Sequence, residues 1–264
     1  MKYLSAAAKQ VLETLPKTYR DPTQGLSSLS IQLERIHFSW FTSYLRTLSQ
    51  REVRLFLSAS PAGHVAELKT GLLFSEDLIV LSPSAKSYLQ GLLLKHLIGE
   101  EKEWLPLECL PESPLNALLE LSSVDLNTLI DFLGLHDLTV EMRQIIDAAK
   151  LKKLSAALSP SERSYVKILM QSREPVVFPS MGLAHWQGEK DRLKVLIRGR
   201  GLNRLAKGLY GGHPSLLWHL SHKLDVDRAL SLQKLYAPLE NASVSKLLSD
   251  QILELLSFMR KPHE

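Results

Sequence analysis

One cysteine, Cys109, stands in 264 residues. No intramolecular disulfide can form and no cysteine zinc site can be assembled, which suits a reducing compartment. Long apolar runs are missing as well. A membrane-spanning helix needs roughly 18 or more uncharged apolar residues, and the richest run, GLLLKHLIG, is short and carries Lys95. The opening MKYLSAAAKQ is interrupted by Lys9 and Gln10 before a leader of useful length forms, so no signal peptide is expected and the reading is a cytoplasmic protein. Alternating apolar and polar residues, the mark of a half-buried strand, are scarce. Only EPVVFPSMGLAHWQG has extended character, and Pro175 and Pro179 flank Val176, Val177 and Phe178, which predicts a connector and not a sheet strand. A charge excess of +4 permits an anionic partner without requiring one.

What the chain does have is helical periodicity. Leu29, Leu33, Ile36, Trp40, Tyr44 and Leu48 step by three or four and predict one long amphipathic segment. Helix starts are expected at Ser49 with Glu52, at Ser82-Pro83, at Ser122 or Ser123, and at Ser159-Pro160 with Glu162. Further helices are expected over residues 1–15, in LNALLEL, and after a cap at Asp137 or Thr139, with Gly134 closing the helix before it. The run LLFSEDLIVLS fits either a strand pair or two helical turns, and the helix is the preferred reading because no partner strand with an alternating pattern lies nearby. In the last third, Leu202, Leu205, Ala206 and Leu209, then Leu216, Leu217, Leu220 and Leu224, then Leu248, Ile252, Leu255 and Met259 mark three apolar stripes. The acidic, proline-rich run EEKEWLPLECLPESP separates an N-terminal helical domain, 1–110, from a C-terminal one, 111–264. The predicted fold is all-α: an irregular, armadillo-like helical stack with little or no β structure.

Candidate chemistry is sparse. Gly199-Arg200-Gly201-Leu202-Asn203-Arg204 has neither the third glycine of a dinucleotide fingerprint nor a Gly-Lys-Ser/Thr. A helix break with a new helix starting near Leu202 accounts for its glycines. His213, His219 and His222 with Asp225 or Asp227 fall short of a zinc ligand set, because the two aspartates read as helix caps and the histidines as surface residues. No nucleophile elbow or cysteine signature is present. No catalytic residue, cofactor or metal is therefore expected. Arg192, Lys194, Arg198, Arg200, Arg204 and Lys207, with no acid among them, form the candidate partner-binding face. An acidic protein surface would meet these cations. The alternative is a nucleic acid, whose phosphates would do the same.

The order of the C-terminal residues carries a resemblance. Phe178 in a connector, the cationic stretch Arg192–Arg204, Leu205-Ala206-Lys207-Gly208-Leu209, Ser221-His222-Lys223 and the helix from Ile252 to Met259 are similar to the C-terminal part of the flagellar motor-switch family FliG. SSVDLNTLIDFLGLHDLTVEMRQIID resembles an armadillo-type unit of that family. The FliG Glu-His-Pro-Gln motif is absent, and the charge alternation of its torque helix is almost purely basic here. The pattern from Leu216-Leu217-Trp218 through Arg228 also resembles SctK, the sorting-platform adaptor of type III secretion injectisomes. Both resemblances imply a non-enzymatic helical adaptor at the cytoplasmic face of the inner membrane, linking a ring component to sorting-platform subunits, with protein partners and no small-molecule substrate.

Overall fold

The computed structural model describes residues 25–100, 103–239 and 241–260. Among these the chain is all-α, with twelve α-helices, three short 3-10 turns and no strand. The helix expected over residues 1–15 lies outside the described residues.

The first five helices are α1 (Leu29–Glu34), α2 (Ser39–Leu45), α3 (Gln50–Ala59), α4 (Ala62–Leu72) and α5 (Pro83–Ile98). Two expectations change here. The segment read as one helix from Leu29 to Leu48 is broken between α1 and α2, because the His37 backbone N–H leaves the helical ladder and donates to His222 O at 2.7 Å. The run LLFSEDLIVLS is a connector instead of a helix. Leu73 closes α4 in the left-handed region at φ 54°. Beyond it, side chains of α3 take the main-chain groups: Arg54 Nε donates to Asp77 O at 2.6 Å, and Ser58 Oγ accepts from Ile79 N at 3.0 Å.

Two 3-10 turns, Leu107–Cys109 and Pro114–Glu120, lead into the second half. There follow α6 (Ser123–Met142), α7 (Ala148–Ala157), α8 (Pro160–Gln171), a turn at Leu183–His185, α9 (Lys190–Leu209), α10 (Pro214–Lys223), α11 (Val226–Leu235) and α12 (Ala242–Arg260). The caps at Ser49, Ser82, Ser122, Ser159 and Asp225 form as read, each side-chain oxygen accepting an otherwise orphaned N–H of the first turn. Gly134 does not end a helix, and Asp137 and Thr139 cap nothing. Helix α6 runs straight through all three, and Asp147 caps α7.

Helices α6 and α9 form the centre of this half. Asp131 meets Arg198 and Asp137 meets Arg204, so the two helices run in the same direction at a constant offset of 67 residues. Between those pairs the backbones touch. A Cβ on Gly134 would lie 1.9 Å from Ile197 O, and one on Gly201 would lie 1.7 Å from Ile130 O. This reciprocal contact replaces the helix break expected at Gly199 and Gly201: α9 is continuous, and Gly201 serves close approach. Two turns further, Gly208 admits α12, where a Cβ would meet Ile252 Cδ1 at 2.6 Å.

Buried apolar residues gather into two clusters. One spans Leu33 to Leu94 and takes in Trp218; the other runs from Leu115 to Leu256. The three stripes read in the last third supply much of the second, with Leu205, Leu220, Leu224 and Ile252 fully buried. The clusters meet where the His222 ring lies between Trp40, at 4.0 Å, and Trp218, at 3.9 Å, stacked on both. Trp40 Nε1 donates to Leu224 O at 3.0 Å and Val226 N donates to Ser39 Oγ at 3.2 Å across the same joint.

Candidate functional site

The six cations singled out in the sequence lie on or beside α9, but they do not form one exposed face. Arg204 is 0% exposed. Its five N–H groups are all used: Nε on Asp137, Nη1 on Glu174 (3.0 Å) and Gln251 (2.9 Å), Nη2 on Asp137 and on Val176 O (2.8 Å). No partner can reach it, so Arg204 is removed from the binding face. The cause is the α6–α9 contact, which turns its side chain inward between two carboxylates. Arg198 is half-buried in a bidentate pair with Asp131, at 2.9 and 2.8 Å. Asp131 is mid-helix on α6. Arg200 donates Nη2 to Pro179 O and Ser180 O at 2.7 and 2.6 Å, and Lys207 donates to Ala237 O at 3.0 Å. Arg192 and Lys194 are exposed.

The buried arginine anchors a wider network. Burial pushes the Glu174 carboxyl up, but the hydrogen bond from His136 (2.6 Å) and the charge of Arg204 outweigh it and hold it at about 2. Tyr165 hydroxyl stands 3.0 Å from His136 Nε2, and burial beside Glu174 raises its phenol. The Gln251 amide donates to Glu174 Oε1 at 2.6 Å, tying α12 to the network. Glu141, near the end of α6, accepts from Ser180 Oγ at 2.8 Å and from the backbone N–H groups of Met181 and Leu183. The acids and bases of this network fasten the connector 173–189 onto α6, α9 and α12. No local signal marks this network, because Asp137, Glu174 and Arg204 are far apart in sequence. One regularity could have revealed its core: Asp131, Gly134 and Asp137 on α6 repeat the spacing of Arg198, Gly201 and Arg204 on α9.

With the connector pinned, an open groove of about 560 Å³ runs along the outward face of α9. Phe178, Pro179 and Met181 of the connector form one wall, Leu235 and Leu239 the other, and Val195, Leu196, Gly199, Arg200, Asn203 and Lys207 the floor. It contains two cations and no carboxylate. Phe178 also lies over the Arg204 guanidinium at 5.4 Å, so the wall is braced from behind. Gly199 is a solvent-facing helical glycine with nothing within 4 Å of where its Cβ would be. The contact that explains Gly201 is therefore absent at Gly199, and its effect is to deepen the groove.

The histidines are not the surface pair expected. His222 is 4% exposed, and burial between the two tryptophans pushes it down to about 4. His219 lies 2.9 Å from Leu105 O, and His213 caps α10 by accepting from Ser215 N at 3.1 Å. Lys223 is buried too, its ammonium donating to Leu119 O and Leu121 O, and loss of solvent lowers it to about 8. No group of three His, Cys, Asp or Glu side chains placed to hold a metal occurs among the described residues, and none of their helices is long and apolar enough to cross a membrane. No protein-family model matches the chain, and comparisons with curated proteins and with solved structures return no match.

Proposed function

We propose that this chain is a non-enzymatic helical adaptor of a type III secretion apparatus, joining a membrane-ring component to cytoplasmic sorting-platform subunits and docking through the groove along α9. The secretion context rests on the resemblance of the C-terminal residues to FliG and SctK. The observation that carries the docking role is the groove itself, an apolar channel with a basic edge on the outward side of the helix that organises the C-terminal core. Its wall is held by buried ion pairs, so it is formed before any partner arrives and little ordering cost is left for binding. Association with the membrane is through partners only.

Photo-crosslinking in the host that makes the chain tests this. A crosslinking amino acid replaces Val195, 69% exposed in the groove, or Leu230, 54% exposed on α11. Adducts from position 195 should contain a ring component or sorting-platform subunit, with far less from position 230. Adducts containing only proteins unrelated to secretion, or no preference between the positions, would remove the proposal.

A further inference from the structure

We infer that the occupant of the α9 groove is an acidic peptide segment, bound extended, with an apolar side chain seated over Gly199 and carboxylates at Arg200 and Lys207. This deepens the docking role above and rests on it. Three features of the floor point the same way. Gly199 leaves the floor bare, with open space where a Cβ would stand and Val195 and Leu196 beside it, apolar surroundings for one side chain. Asn203 has no side-chain hydrogen bond among the described residues. Its amide can donate to one peptide carbonyl and accept from one peptide N–H, the pair an extended main chain presents. Arg200 uses only Nη2 on the connector and keeps Nε and Nη1, while Lys207 keeps two of its three N–H groups. A carboxylate meets such donors in charge-assisted bonds, and no acid lines the groove to compete.

A nucleic acid fits less well. Single strands bind basic channels that also offer aromatic faces for the bases. Phe178 is the aromatic ring on this groove, and Arg204 lies against it.

A phage-displayed random peptide library panned against the full chain tests the inference, with Gly199→Trp as the counter-selection. A Cβ at position 199 meets no packed atom, so the melting temperature of this variant should not fall below the parent's. Recovered peptides should be enriched in Asp and Glu around an apolar residue. Synthetic copies should bind the parent at least tenfold tighter than Gly199→Trp. Arg192→Glu lies one turn before Val195 and touches no buried network; it should weaken the same peptides severalfold and make binding less sensitive to salt. Peptides without acidic enrichment, peptides that bind Gly199→Trp equally, or no recovered peptide would overturn the inference. So would a fluorescent dT20 oligonucleotide that binds the parent and is lost on Gly199→Trp, which assigns the groove to nucleic acid. The two readings separate cleanly. Crosslinks from position 195 to secretion subunits with no acidic peptide selected retain the adaptor and reject the peptide; acidic peptides selected with no such crosslinks do the reverse.

Discussion

Arg204 shows what a single charge does when packing decides its surroundings. Taken out of water with all its donors matched, it holds Asp137, Glu174, Gln251 and the Val176 carbonyl in one arrangement. Removing it leaves two buried carboxylates facing each other. Arg204→Met should therefore cost about 3–5 kcal/mol in urea denaturation, whereas Arg198→Met, whose pair with Asp131 is about a quarter exposed, should cost about 1 kcal/mol. Equal losses would show that the inner network carries no special weight. The two pairs also differ in exchangeability. Asp131→Arg with Arg198→Asp should recover most of the stability lost in either single variant; the same exchange at Asp137 and Arg204 should not, because Glu174 and Val176 O still demand a cation at 204. Glu174 adds an acid limit. Its folded carboxyl is held near 2 against an ordinary 4.5, so it stabilises the fold fully above about pH 4.5 and loses that contribution as pH falls towards 2. The contribution is on the order of 3 kcal/mol. Glu174→Gln should flatten the stability profile between those values; an unchanged acid slope would contradict the depressed value.

At the scale of elements, the crossing of α6 and α9 depends on two hydrogen atoms. Gly134→Ala or Gly201→Ala places a methyl inside 2 Å of a carbonyl oxygen of the facing helix and must drive the helices apart, at a cost of at least about 2 kcal/mol each. Gly199→Ala has no such neighbour and should stabilise by about 0.5–1 kcal/mol, since alanine is the better helix former. Melting curves of the three variants check this, and a harmless Gly201→Ala would sink the account of the crossing. The same glycines mark where the sequence is legible and where it is not. Caps at Ser49, Ser122 and Ser159 could be read because a hydroxyl and the N–H it accepts lie within three residues. Gly134, Gly199 and Gly201 were read as breaks because, taken alone, glycine weakens a helix. The contact that compensates at Gly134 and Gly201 comes from a helix 67 residues away. The all-α class, the apolar stripes of α9, α10 and α12 and the extended connector were readable by period and proline. The groove was half-readable: its cations stood out, but whether each faced water or the core depended on helix rotation, which the crossing fixes.

At the scale of the molecule, two apolar clusters share one joint, and a histidine is its central plate. His222 is held near pH 4 against an ordinary 6.5, so its neutral form belongs to the fold. The unfolded chain takes up the proton first as pH falls below about 6.5, and stability declines until the folded ring is itself protonated near 4. The loss from this ring is on the order of 3 kcal/mol. His222→Phe keeps a flat ring between Trp40 and Trp218 and should make that decline shallower, leaving the part due to His37, His64 and His219, which burial also pushes down; a parent whose stability is constant from pH 7 to 4 would count against the buried neutral ring. Trp40→Ala removes one face of the stack and the bond to Leu224 O. Tryptophan fluorescence and circular dichroism, coincident on unfolding the parent, should then report separate transitions for the two clusters.

The manner in which the connector is fastened has a consequence for how such a chain can diverge. Arg204 and Arg200 grip carbonyls at 176, 179 and 180, and Glu141 grips N–H groups at 181 and 183. Those handles are main-chain atoms, present whatever side chain the position bears. Val177, 64% exposed, can therefore be exchanged while the wall stays in place. The clamp therefore fixes the path of the connector without fixing the side chain carried at such a position.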